Sequence, residues 1–225
     1  MRAAVTAITI TTMMTETALL RLLTWLSPAF PIGAFAYSHG IEWAVSAGDV
    51  LDEASLAAWV EDLLRSGSGR SDAILMRHAW RGEPADELNA LALASQPGHE
   101  RRHETSALGA AFTLAGQVWG GSDRCEPVAY PVAFGLLARA NGVEEQPAAL
   151  GLLHAFAANL ISAAVRLIPL GQTAGLRVIR GLEPTVIAVA AETRHAGLDE
   201  VGGACFRSDI ASMRHETQYT RLFRT

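Results

Sequence analysis

The sequence predicts an all-α fold, a single globular domain of roughly nine to ten helices with a partner-docking C-terminal tail. Three observations carry that reading. Apolar residues recur at helical spacing along most of the chain, the periodic segments stop at Pro and Gly signals, and no alternating strand pattern follows residues 5–12. Hydrophobic residues make up 50% of 225 residues, enough to bury a core without disulfides or metal. At about 100–200 residues per domain the length fits one. The expected division is a disordered or mis-annotated extension at 1–14 (Met13 and Met14 offer a later start), a helical body at 15–204, and an interaction tail at 205–225 within the same domain.

Leu19, Leu20, Leu22, Leu23 and Leu26 open the first helix, which stops near Ser27 because Pro28 and Pro31 disfavour helix before them. The stretch 27–36 reads as an apolar loop around Gly33. A second helix is expected over 37–47, with Gly48 as its C′ residue. Asp52 is a good N-cap for the third, where Leu56, Trp59, Val60, Leu63 and Leu64 share one face. Ile74, Leu75 and His78 mark a short helix ended by Gly82, and Pro84 can open another with Leu88, Leu91 and Ala92 inward. After the break at Gln96-Pro97-Gly98, a long helix runs over 100–119, with Ala111, Phe112, Ala115, Val118 and Trp119 on one face and Gly120-Gly121 at its end. Pro131 starts the next, closed by Asn141-Gly142. Pro147 starts the longest, whose face from Leu150 through Leu153, His154, Ala157, Leu160, Ile161 and Ala164 to Ile168 ends at Pro169. Two helices follow, over 173–180 and 184–196, and then a short polar one over 209–216.

Composition excludes several classes. A net charge of −5 does not fit a general nucleic-acid binder. Charged residues are 18%, below the usual ~25%, as surface covered by a partner or a large core would give. Every basic side chain is arginine, a planar fork suited to carboxylates and phosphates. Cys125 and Cys205 stand in unrelated contexts, so neither a zinc site nor a disulfide framework is expected, and a reducing, cytoplasmic compartment is the natural reading. The longest apolar stretch, 150–168, contains His154, Asn159 and Arg166, which argues for a buried helix rather than a membrane span.

One enzymatic motif is present. His99-Glu100-Arg101-Arg102-His103 is a literal HExxH, which on a helix places two histidines on one face for zinc with Glu as base. Against it stand two arginines in the variable positions, a helix start where exposed charge is expected, and no third ligand. The alternatives kept open are a zinc-dependent hydrolase using that motif and a generic helical interaction module. His78 and His154 sit on apolar faces and His195 at a helix C-terminus, where a cation is favoured. His39 and His215 lie in dense polar contexts. No phosphate-binding glycine loop or nucleophile elbow occurs. The tail combines Arg207, Arg214, Arg221 and Arg224 with Tyr219, Leu222 and Phe223, a composition found at interface hot spots rather than in disordered tails. The 27–40 loop carries Phe30, Ile32 and Phe35, either a core connection or a contact surface.

Three stretches together resemble the urease accessory protein UreF family: SPAFPIGAFAYSHGIE at 27–42, YPVAFG at 130–135 followed by HAFAANLISAAVRLIPLGQT at 154–173, and MRHETQYTRLFRT at 213–225. They fall in the family's order, and the resemblance covers residues 19–225. The helix start at Glu100, Arg102, Glu104 and Thr105 is similar to the family's E-x-R-x-E-T/S pattern, which ignores the histidines. Ala36, Ala174 and Leu176 depart from it.

The resemblance implies an all-helical, homodimeric, non-enzymatic accessory protein for nickel insertion into urease. It implies binding to a UreD/UreH-type accessory protein, recruitment and modulation of a UreG-type GTPase, and engagement of apo-urease. Nickel and GTP are then handled by the complex, with no metal or cofactor held stably by this chain. The expected contact residues are Phe30, Phe35, Tyr37, His39 and Glu42 in the loop, Arg166 and Gln172 facing the GTPase, and Arg214, His215, Glu216, Gln218, Tyr219, Arg221, Phe223 and Arg224 in the tail. A nickel role for His39, Glu42 or His215 is the weaker expectation.

Overall fold

The computed structural model describes residues 14–120 and 127–225. The 5–12 segment, the extension up to Met13, Gly121 and Cys125 lie outside them. Among the described residues ten α-helices and no strand occur. In chain order they are α1 (Glu16–Trp25), α2 (Ile41–Ser46), α3 (Glu53–Ser66), α4 (Ser68–Arg81), α5 (Ala85–Ala94), α6 (His99–Gly116), α7 (Tyr130–Ala140), α8 (Glu145–Leu167), α9 (Gln172–Glu192) and α10 (Phe206–His215).

Local chemistry explains most boundaries. Thr15 caps α1, its hydroxyl accepting from the Ala18 N–H at 3.2 Å. Asp52 and Ser55 form a reciprocal capping box on α3. The five apolar residues expected on one face of α3 are its buried set. Left-handed glycines close α4 at Gly82 and follow α7 at Gly142.

The centre is α4, packed against α7, α3 and α8, while α8 also lies along α9 and α6 along α7. Gly135 of α7 lets that helix press on α4, since a Cβ there would collide with the Met76 carbonyl. Trp25, Phe30, Phe112, Tyr130 and Phe134 fill one aromatic cluster, with Phe30 and Phe112 centroids 5.4 Å apart. Arg77 is 1% exposed and bonds to Glu145 at 2.6 Å and Gln146 at 2.6 Å, tying α4 to the start of α8. Of the described helices, α8 alone is long and apolar enough to cross a membrane, and half of that stretch is buried in the fold.

Several expectations change. The second helix begins at Ile41, not Tyr37, because His39 (φ 53°) and Gly40 (φ 77°) are left-handed and break the turn. The short helix around Ile74 is fourteen residues long. Its polar start escapes the sequence pattern because the residues buried there, Gly69 and Ser71, carry no apolar signal. The two helices expected over 173–196 are one through Glu192, followed by a 3₁₀ turn. Pro184 is exposed, so the Arg180 carbonyl it leaves unbonded faces water and the apolar side of α9 continues unbroken. The α-helical part of α6 ends at Gly116, and Val118 is 82% exposed rather than on the core face. His154 is exposed, on the outer side of α8, whereas His78 is buried against Glu83 and the Ala196 carbonyl.

Candidate functional site

The polar residues of the 37–42 segment, the start of α6 and the end of the chain converge on one buried junction. The left-handed pair His39-Gly40 turns Ser38 and His39 inward. A side chain at Gly40 would strike the backbone at Ser212, so α10 lies directly against this turn.

Glu42 is 4% exposed in the first turn of α2. Its carboxylate accepts the Leu222 N–H at 2.7 Å and the Phe223 N–H at 2.9 Å, and faces His215 Nε2 at 3.1 Å. The other ring nitrogen of His215 lies 2.7 Å from Glu100, which also takes Arg221 Nη1 at 2.6 Å. Glu216 accepts the His99 N–H at 2.7 Å and the Glu100 N–H at 3.2 Å, so a carboxylate from the end of α10 satisfies the free N–H groups of α6.

Deeper still, Glu104 is 1% exposed. It is ion-paired with Arg101 and lies 2.6 Å from His39 Nε2. Thr225 donates its hydroxyl to Glu104 at 2.8 Å, and the Thr225 main-chain oxygen accepts from the Ser38 N–H at 2.9 Å. Burial pushes the Glu104 carboxyl up, but the adjacent Arg101 charge and the His39 contact outweigh it and hold it at about 2. Burial and the Arg101 charge lower the His39 pKa, against the pull of Glu104. His39 is therefore the neutral ring, donating from Nε2 and leaving Nδ1 without a partner.

The tail is thus seated on the body through its backbone, with selected side chains turned out. Phe223 is 6% exposed and lies under Arg166, whose guanidinium carbon is 4.4 Å from the ring centroid. Arg166 also donates to the Phe35 carbonyl at 2.7 Å, and the Arg224 N–H bonds to the Ala36 carbonyl at 2.8 Å, so loop, α8 and tail meet there. Tyr219 (103%), Leu222 (75%) and Phe35 (63%) stand out into solvent. Arg214 and Arg224 are exposed as well.

Of the residues singled out from sequence, His39, Glu42, His215, Glu216, Arg221 and Phe223 form the junction, with Arg166 over it. Phe30 and Tyr37 were expected at a contact surface but are buried, Phe30 in the aromatic core. Gln218 bonds to the Thr220 carbonyl at 3.0 Å. Gln172 is exposed at the start of α9, and its side chain makes no hydrogen bond to the junction among the described residues. The HExxH residues do not converge. His99 and His103 are exposed while Glu100 turns inward to His215, and no group of three or more His, Cys, Asp or Glu side chains is placed to hold a metal ion among the described residues. The helix start expected to expose its charges instead buries Arg101 and Glu104. Sequence reading missed Ser38, Arg101 and Thr225, whose roles depend on contacts more than a hundred residues apart for Ser38 and Thr225.

Two cavities flank this junction. One, of 380 Å³, lies between the 27–36 loop and α8; the other, of 340 Å³, lies between α4, the α5–α6 turn and α10. His39, Asp72 and Arg101 line both.

Fold and site define an all-helical protein whose C-terminal segment is fastened to its own body while presenting aromatic and arginine side chains outward. A family model described as UreF matches residues 50–183. Proteins named "Urease accessory protein UreF" are similar over most of their length. A Bradyrhizobium protein is 50% identical over 221 residues, 92% of each chain. One from Cereibacter sphaeroides is 50% identical over 208 residues, 92% of this chain and 99% of its own. One from a Methylobacterium species is 50% identical over 220 residues, 92% of this chain and 88% of its own. The chain belongs to the urease accessory protein UreF family.

Proposed function

We propose that this protein acts in the cytoplasm, as a homodimer, in the maturation of urease by nickel insertion. It binds a UreD/UreH-type accessory protein through the tail and recruits and modulates a UreG-type GTPase on apo-urease. It acts by contact, with nickel and GTP handled by the complex. The observation that carries this reading is the tail itself. Its backbone is fixed by Glu42, Ser38 and Ala36 and its Thr225 hydroxyl by Glu104, while Tyr219, Leu222 and Arg224 are left outside. Side chains carried on an already ordered backbone lose less entropy on binding than those of a free tail, which favours them as interface anchors.

The test is capture of the UreD/UreH-type partner by the full chain. A Tyr219→Ala/Leu222→Ser/Arg224→Ala variant changes only outward side chains. It is expected to lose partner capture at least tenfold while keeping the wild-type melting temperature. Unchanged capture would remove the tail from the interface. Arg166 tests the second contact: Arg166→Ala, which frees Phe35 and Phe223, is expected to reduce GTPase recruitment and urease activation. If both persist, Arg166 serves only to join loop and tail.

A further inference from the structure

We propose that the cavity between α4, the α5–α6 turn and α10 is a docking pocket for a basic side chain, Lys or Arg, presented between apolar residues by a partner protein. The site is separate from the outward side chains Tyr219, Leu222 and Arg224 and does not rest on the urease reading.

Its floor is acidic. Asp72 of α4 and Asp209 of α10 both line the cavity, and among the described residues no hydrogen bond ties either carboxylate to another group. The cation in the wall, Arg101, is already ion-paired with Glu104. The cavity therefore carries more carboxylate than it has positive charge to match. Burial raises the Asp72 carboxyl to about 7 and pushes Asp209 above its usual range, in both cases against the opposing Arg101 charge. A cation arriving at the floor removes that cost.

Three further groups lack a partner there. Among the described residues Ser212 Oγ, Gln96 Oε1 and His39 Nδ1 are buried with no hydrogen bond, and all three residues line this cavity. Ser212 is 2% and His39 7% exposed, so bulk water does not satisfy them. Gln96 Oε1 accepts only and Ser212 Oγ can accept, so both suit the several N–H donors of a guanidinium or ammonium head.

The rim has the opposite character. Phe206 (71%), Ile210 (55%) and Met213 (47%) stand exposed at i, i+4 and i+7 on one face of α10, and all three border the cavity. An apolar rim over an acidic floor matches a long basic side chain, whose methylene stem packs on apolar surface while its head reaches the charges. The apolar neighbours of that side chain then cover the exposed stripe. Charge complementarity makes the occupant basic, and the stripe makes it a protein segment rather than a free ion.

The experiment titrates the full chain with the blocked tripeptide acetyl-Leu-Arg-Phe-amide and with its neutral citrulline counterpart, by calorimetry at pH 7. The arginine peptide is expected to saturate the site and the citrulline peptide to bind at least tenfold more weakly. An Asp72→Asn/Asp209→Asn variant, with shape kept and charge removed, is expected to lose at least tenfold in affinity for the arginine peptide. Phe206→Ser, on the exposed rim, is expected to weaken binding several-fold with the melting temperature unchanged. Repeating the titration in buffers of different ionisation enthalpy is expected to reveal proton release as Asp72 ionises. Equal affinity for the two peptides, no loss in the double variant, or no saturable binding overturns the proposal. A change in the oligomeric state of the double variant would make the guest a second copy of this chain and overturn the separate partner.

Discussion

Glu104 is the residue on which the buried charge balance turns. It holds Arg101, His39 and Thr225 at once, in a place nearly closed to solvent. Replacing it with Gln leaves Arg101 buried without its counter-ion, and breaking a buried pair from one side costs about 3–5 kcal/mol. Denaturant unfolding of Glu104→Gln is expected to show a loss of that order at pH 7. The pH sign follows from its depressed pKa. The stabilisation is present above the ordinary carboxylate value and is lost as pH falls from about 4.5 toward about 2. The variant's deficit should therefore shrink in that window. Asp72 has the opposite sign. Its carboxyl is raised from 3.8 to about 7, so the folded chain holds a proton there that the unfolded chain has lost. That contribution is full below 3.8 and disappears as pH rises to about 7. Asp72→Asn is expected to match wild type near pH 4 and to exceed it above pH 7, by up to about 4 kcal/mol from linkage. A melting series across pH measures the divergence. Equal curves at both ends would mean Asp72 is solvated.

At the scale of elements, α2 and α10 act through what they hold. Glu42, in the first turn of α2, is the acceptor for two tail N–H groups. With Glu42→Ala those donors and His215 lose their buried acceptor, at about 1–3 kcal/mol for each group left unsatisfied. The expected result is a loosened tail, cut by trypsin after Arg221 and Arg224 faster than in wild type, with helix content preserved. Unchanged cleavage would mean that Arg166 and Ala36 suffice to hold the segment. How much of this was legible in sequence depended on surroundings. α3 and α8 each press one face on the core, and their apolar period gave faces close to the buried ones. α4 buries Gly69 and Ser71 in its first turn, residues with no apolar signal, so its polar start was missed. Pro184 read as a break because a proline signal carries no information on which side of the helix faces water. In α6 the charged start suggested a solvated face, yet Arg101 and Glu104 neutralise each other three residues apart and are buried. The tail residues were legible as contact makers from their composition. That many of those contacts are with this chain's own α2, α6 and 34–36 turn was not, because the bonded groups lie more than a hundred residues apart in sequence.

For the whole molecule, the tail is part of the fold as well as a candidate contact surface, and the two roles separate by experiment. Deleting residues 216–225 removes the Glu216 cap on α6, the Arg221 partner of Glu100, both N–H donors to Glu42 and the Thr225 hydroxyl on Glu104. It also removes Phe223, and with it the cation–π contact to Arg166. Carboxylates now buried against the tail gain access to water, which limits the loss, but the cap, the burial of Phe223 and the joined loop go with it. Losing a cap costs about 1 kcal/mol and removing a buried phenylalanine about 3–5 kcal/mol. The truncated chain is therefore expected to melt well below wild type, and its failure to capture a partner would report unfolding as much as a missing interface. The outward triple variant at Tyr219, Leu222 and Arg224 keeps all of those internal bonds, so its stability is expected to stay within about 0.5 kcal/mol of wild type, as for surface substitutions generally. Paired melts of the two proteins, with partner capture measured on each, separate the roles. A truncation that melts like wild type would show that the docked tail contributes nothing to stability and is held only for display.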